Sequence, residues 1–212
     1  MTRNLLMLGR SVARATRHLF DGRVRFPRDR LGDVLELPAG DTFVVYRETV
    51  LRPTTAPPGD GVVLIFRMRV TDPGPGETLR DILFDPLANV ATPFFVGMPG
   101  FRRKLWLAGE RSGEFLELYE WATEDDADRF VAVLQSLLAP FDFAGTASFE
   151  VVTDDSVEEY VAARAVEWRD ASAHATRLRR RSSVLAAAVL CAVAAVAGYL
   201  VWKGWSACSS FV

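Results

Sequence analysis

Residues 102–121, RRKLWLAGERSGEFLELYEW, decide the fold. Two runs of β-forming residues, Arg102 to Ala108 and Glu114 to Trp121, flank Gly109-Glu110-Arg111-Ser112-Gly113, a loop of hairpin length with glycine at both ends. Side chains alternate along each strand. Leu105 and Leu107 therefore oppose Lys104 and Trp106, while Leu116 and Leu118 oppose Glu117, Tyr119 and Trp121.

Toward the C-terminus, Thr123 caps a helix whose first turn holds Glu124, Asp125 and Asp126, negative charges at the positive end of the helix dipole. Its apolar stripe is Ala127, Phe130, Val131, Leu134, Leu137 and Leu138, and Pro140 ends it. A strand over Thr146 to Thr153 follows, with Phe149 and Val151 opposing Ser148 and Glu150. Toward the N-terminus, Val62 to Val70 is a strand, Thr71 to Gly76 a turn, and Thr78 to about Val96 helical, interrupted by Pro86 and Pro93. The order over residues 61–153 is β-α-β-β-α-β, an α+β, ferredoxin-like arrangement with four antiparallel strands and two helices on one face.

Two helices cover one face only, so the other decides what the domain does. Leu64, Phe66 and Met68 suit the helix side, which sends Ile65 and Arg67 to the opposite face. With the leucines of the hairpin on the helix side as well, the bare face carries Arg67, Lys104, Trp106, Glu117, Tyr119, Trp121 and Glu150 among aliphatics such as Ile65. A second copy laid across it would enclose a partly polar cavity, a dimeric α/β barrel. The alternative is plain cross-strand pairing of Arg67 and Lys104 with Glu117 and Glu150.

Beyond this domain, residues 31–60 read as a strand pair (Asp33 to Leu37, Thr42 to Arg52) and a Pro/Gly-rich linker from Pro53 to Gly61. Residues 1–30 form a basic segment with the 3,4 stripe Leu5, Leu8, Val12, Ala15 and Leu19 and with Arg10, Arg14 and Arg17 on another face. Such an amphipathic helix either lies on a membrane surface or docks on the body. Ser156 and Glu159 form a capping box, starting a helix that is expected to continue through residues 156–181 as a basic juxtamembrane linker. Val184 to Trp202 is uncharged for 19 residues. At about 1.5 Å per residue it spans roughly 28 Å, enough for a transmembrane helix.

The 212 residues carry a net charge of −2, which conceals +6 over residues 1–30 and −13 over residues 31–170. An acidic body argues against nucleic-acid binding. Arginines 177, 179, 180 and 181 before the span, against Lys203 after it, place the body on the cytoplasmic side of the cell membrane in a single-pass arrangement. Cys191 and Cys208 lie in and beyond the span, leaving the body without a disulfide framework. There is no phosphate loop, dinucleotide fingerprint, Cys/His metal spacing or nucleophile elbow.

Pro99-Gly100-Phe101 leading into Arg103-Lys104-Leu105-Trp106, then Leu118-Tyr119-Glu120-Trp121 and the acidic Thr-capped helix, resembles dimeric α/β barrel proteins of the antibiotic biosynthesis monooxygenase type. The resemblance covers roughly residues 60–153. It implies a homodimer and a superfamily that includes cofactor-independent oxygenases of aromatic polyketides, haem-degrading enzymes and members with no known activity. The only histidines, His18 and His174, lie outside the barrel, so the usual haem ligand is missing and no cofactor is expected. An oxygenase site would draw its catalytic groups from Tyr119, Trp121, Arg67 and Glu117, with Trp106, Lys104 and Ile65 lining the place of an apolar or aromatic small molecule. A non-catalytic, membrane-tethered binding or scaffold module is the alternative.

Overall fold

The computed structural model describes residues 2–53, 61–69, 92–109, 114–139, 146–153 and 155–166. Its elements are α1 (Thr2–Phe20), β1 (Val24–Arg25), β2 (Val34–Glu36), β3 (Thr42–Leu51), β4 (Val62–Arg69), β5 (Phe101–Gly109), β6 (Glu114–Trp121), α2 (Glu124–Leu138), β7 (Ser148–Val152), α3 (Val157–Ala162) and β8 (Ala165–Val166), with residues 92–96 also helical. The strands form one antiparallel sheet in the order β7-β4-β6-β5-β3-β2-β8, with β1 paired to β3. Its first four members reproduce the ferredoxin-like order. The strand order expected for residues 61–153 is thus present in a curled antiparallel sheet with helices, while the turn expected over residues 71–76 and most of the helix expected over residues 78–96 lie outside the described residues. The strand pair expected as a separate unit over residues 31–60 instead extends that sheet, because β3 pairs with β5 from Phe43↔Gly109 to Val50↔Arg103.

Register decides which side chains share a face, and here it departs from the sequence expectation. Leu64 pairs with Tyr119 and Phe66 with Glu117, while Tyr119 pairs with Lys104 and Glu117 with Trp106. Directly paired residues point the same way. Lys104, Trp106, Glu117, Tyr119 and Trp121 therefore lie on the helix face beside Leu64 and Phe66, and Leu105, Leu107, Leu116 and Leu118 line the other. Val62, Leu64, Phe66, Met68, Phe101, Trp106, Tyr119 and Trp121 pack with Ala127, Phe130 and Val133 of α2, with Phe95 and Val96, and with Ala15 of α1. Of the two possibilities for α1, its middle docks on the body: Val12 and Ala15 are buried.

The opposite face is concave and filled by the chain itself. In a flat sheet β3 and β4 would stand three strand spacings, roughly 14 Å, apart. Here Phe43 and Val45 of β3 pack in one cluster with Val63 and Ile65 of β4, and the Arg67 guanidinium sits 5.5 Å from the Phe43 ring centroid. Into this hollow α3 sets Val157, Tyr160 and Val161, the i, i+3, i+4 stripe of a single turn. The helix does not continue toward residue 181. It stops at Ala162, and the chain pairs β8 with β2 through Val34↔Val166 and Leu35↔Ala165. One segment thus leaves edge strand β7, plugs the hollow and joins the opposite margin. Leu105, Leu107, Leu116 and Leu118 are fully buried without a second copy, so covering this face does not require a dimer.

The span expected over residues 184–202 and most of the linker before it lie outside the described residues. Among those described, no helix is long and apolar enough to cross a membrane.

Candidate functional site

A bulge in β3 builds the polar part of the helix face. Phe43 and Val45 point into the hollow, and the register then shifts between Val45 and Arg47, so that Arg47 pairs with Trp106 and Thr49 with Lys104. Tyr46 is the inserted residue. Had the register run on unshifted, Arg47 would have stood opposite Leu105 and followed Val45 into the aliphatic hollow. With the shift, Arg47 lies against Trp106, its guanidinium 4.3 Å from the ring centroid, and donates to Thr92 Oγ1 at 3.1 Å.

Next to it Lys104 is buried in an aromatic cage. Its Nζ lies 4.8 Å from the centroid of Phe95, 4.3 Å from Trp106 and 4.4 Å from Tyr119. The ammonium donates to Tyr119 Oη at 2.7 Å and sits 2.8 Å from Glu117 Oε2, and the tyrosine hydroxyl donates to the same carboxylate oxygen. Phe95 holds the cage together, with ring centroids 5.0 Å from Phe101, 5.6 Å from Trp106 and 5.9 Å from Tyr119. Phe130 of α2 closes the far side, 4.7 Å from Tyr119 and 5.0 Å from Trp121.

Burial sets the proton affinities. It pushes the Lys104 ammonium down to about 8, although the Glu117 carboxylate favours the charged form. It pushes the Tyr119 hydroxyl well above its ordinary value, and the neighbouring Glu117 charge adds to that. The lysine thus gives up its proton closer to neutral pH than an ordinary lysine does. Three further polar atoms of the buried strands, Thr49 Oγ1, Trp106 Nε1 and Trp121 Nε1, have no hydrogen-bond partner. A buried donor left unpaired costs about 1–3 kcal/mol.

Of the residues singled out from sequence, Lys104, Trp106, Glu117, Tyr119 and Trp121 come together, and Arg67 and Ile65 do not. Ile65 is in the hollow's aliphatic cluster. Arg67 is at the rim of the same face, 2.5 Å from Asp41 Oδ2 and with its Nε 2.8 Å from Glu114 Oε2, which Arg69 also engages. Burial raises the Glu114 carboxyl, but the two arginines outweigh that and hold it below its ordinary range. Arg67 therefore pairs with Glu114 and Asp41 rather than Glu117 or Glu150, while Lys104 does pair with Glu117.

Sequence reasoning missed Arg47, Thr49 and Phe95. A charge inside the β-forming run Phe43 to Leu51 was the available signal for Arg47; nothing short of the bulge tells which face it joins. Among the described residues, no three His, Cys, Asp or Glu side chains are placed to share a metal ion.

No family model matches the chain, and no curated protein matches it. It is similar to a haem-degrading enzyme from Listeria monocytogenes, at 12% identity and a TM-score of 0.37, over 60% of this chain and 95% of that one. A monooxygenase-like protein from Listeria innocua matches at 14% identity and a TM-score of 0.36, over 55% and 67% of the two chains. A ferredoxin-fold protein related to antibiotic biosynthesis monooxygenases, from Listeria monocytogenes, matches at 13% identity and a TM-score of 0.34, over 64% and 85%. The likeness is one of fold, and at these scores strand order and register establish that fold on their own.

Proposed function

We propose that this chain is an antibiotic biosynthesis monooxygenase-like protein, a cofactor-independent oxygenase of an apolar or aromatic small molecule, held at the cytoplasmic face of the membrane by residues 184–202. The observation that carries the reading is the Lys104 ammonium, enclosed by three aromatic rings, hydrogen-bonded to a phenol and a carboxylate, and held to a proton affinity of about 8. In a water-excluded site such a group takes or gives a proton at neutral pH and stabilises a neighbouring anion.

For a substrate with an acidic CH2 between conjugated rings, neutral Lys104 removes the first proton. The carbanion forms a C–O bond with dioxygen, and the ammonium returns its proton to the resulting peroxide. Loss of the second C–H proton then breaks the O–O bond, leaving a carbonyl and one water. Dioxygen supplies both oxygen atoms and accepts the four electrons the carbon gives up. Trp106 and Trp121 offer indole N–H donors that no protein acceptor occupies.

A second reading, a non-catalytic binding or scaffold module, is favoured by the mutual satisfaction of Lys104, Glu117 and Tyr119. Oxygen uptake on a panel of polycyclic phenols and ketones separates the two. The oxygenase reading expects turnover by the full chain, with kcat at least about tenfold lower in Lys104→Met and Tyr119→Phe variants that keep wild-type circular dichroism. Turnover unchanged in both variants overturns it. A wild-type chain that binds members of the panel without consuming oxygen favours the second reading.

A further inference from the structure

A cavity of about 490 Å³ opens away from the lysine cage, between α1, the end of β3, the turn at residues 97–100 and the start of α3. We propose that it binds a small organic phosphate, a phosphomonoester with a short apolar body. Its walls divide by chemistry. Val50, Leu51, Met98, Pro99 and Phe101 supply the apolar part, and its charged groups are Arg14, Arg23, Arg102, Arg103, Glu120 and Glu158, with His18.

The charges are not evenly matched. Arg102 lies 3.8 Å from Glu120, and Arg103 lies 3.5 Å from both Glu48 and Glu158, the latter also taking Arg30 at 2.7 Å. Among the described residues, Arg14 and Arg23 have no carboxylate partner. Arg23 donates instead to the Arg52 carbonyl at 2.9 Å and to His18 Nδ1 at 3.1 Å. A guanidinium only donates, so His18 Nδ1 accepts and the ring proton sits on Nε2. His18 is thereby a neutral donor one helical turn from Arg14, on the same side of α1.

Two unmatched guanidiniums and a neutral N–H at one wall fit a dianion with three acceptor oxygens better than a single carboxylate, and their planar forks suit phosphate. The wall is also built to hold position. A Cβ on Gly97 would fall 1.7 Å from the Ser11 carbonyl oxygen, so only glycine lets the turn approach the α1 backbone this closely. Gly100, at φ 77°, likewise sits where a side chain would strike Asp126. The volume lies within the range of small-molecule sites.

The test is a thermal-shift titration of the detergent-extracted full chain with octyl phosphate. Wild type is expected to show a saturable rise in Tm. Arg14→Gln, at an exposed helix position, is expected to weaken apparent affinity about tenfold or more, read as the ligand-induced shift relative to the variant's own unliganded Tm. Arg23→Gln should weaken it further. No saturable shift in wild type, or an Arg14→Gln variant that binds as wild type does, overturns the proposal. Competition identifies the source of the ligand. Displacement of octyl phosphate by phosphatidylcholine vesicles containing phosphatidic acid, and not by phosphatidylcholine alone, supports a lipid headgroup. Displacement by neither supports a soluble phosphomonoester.

Discussion

The two faces of this sheet are made by alternate residues of the same strands, yet they are different materials. On one, Lys104, Glu117 and Tyr119 share a proton network inside a ring of aromatics. On the other, one residue along, Leu105, Leu107, Leu116 and Leu118 meet Val157, Tyr160 and Val161 of a short helix. The aliphatic cluster is stabilised by burial, in proportion to the area it hides, while Glu48 and Arg67 on the same face are held by ion pairs with Arg103 and Asp41. The helix face carries polar groups that burial penalises and that must satisfy one another. The contrast is between a face built on aliphatic contact and one whose hydrophobic cluster also encloses a network of polar groups.

Mutations should expose that division. The largest effect is expected from Leu116→Ala, which leaves a cavity in the filled hollow and should cost about 2–5 kcal/mol in urea unfolding. It would leave the proton affinity of Lys104 untouched.

Lys104→Met tests the other face through pH. The folded-state proton affinity of Lys104, about 8, lies below that of an unfolded lysine. Between those values the unfolded chain holds the proton and the folded chain does not, so stability rises with pH across that window. The wild type should gain about 3 kcal/mol relative to Lys104→Met between about pH 8 and pH 10.5. Parallel stability profiles of the two proteins would show that the cage does not perturb the lysine.

Gly97→Ala should cost about 1–3 kcal/mol by forcing α1 away from the turn, seen as a lower urea midpoint. Smallest is Ser156→Ala. In the cap of the plug, Glu159 N–H donates to Ser156 Oγ at 3.1 Å and Ser156 N–H donates to Glu159 Oε2 at 3.0 Å. Removing the serine oxygen should cost about 1 kcal/mol, read from the same unfolding curves.

Alternation and capping were legible from the chain. The hairpin at residues 102–121, the Thr123 cap, the Ser156–Glu159 box and the order of the four strands all follow from local rules that the structure keeps. Which set of alternating residues faces the helices was not. Each strand offers an aliphatic side and a mixed side, and hydrophobicity alone sends the aliphatic side inward. That choice holds for Leu64 and Phe66 and fails for Leu105 and Leu116, because there was a second interior to fill. The second interior depends on β3, whose face changes at one inserted residue, and on α3, which turns back to the far margin. Both are long-range pairings that no local pattern encodes. Five of the seven residues singled out for the site still meet in one cluster, because paired strands keep like-facing residues together whichever face they choose.

The strap from β7 through α3 to β8 also fixes how the body would respond to a pull from its C-terminal end. Tension entering at Val166 meets first a ladder two residues long, then the single turn of α3, and only afterwards the long strands. With so few pairings to break, the strap would yield while the rest of the sheet held, laying bare the leucines beneath it.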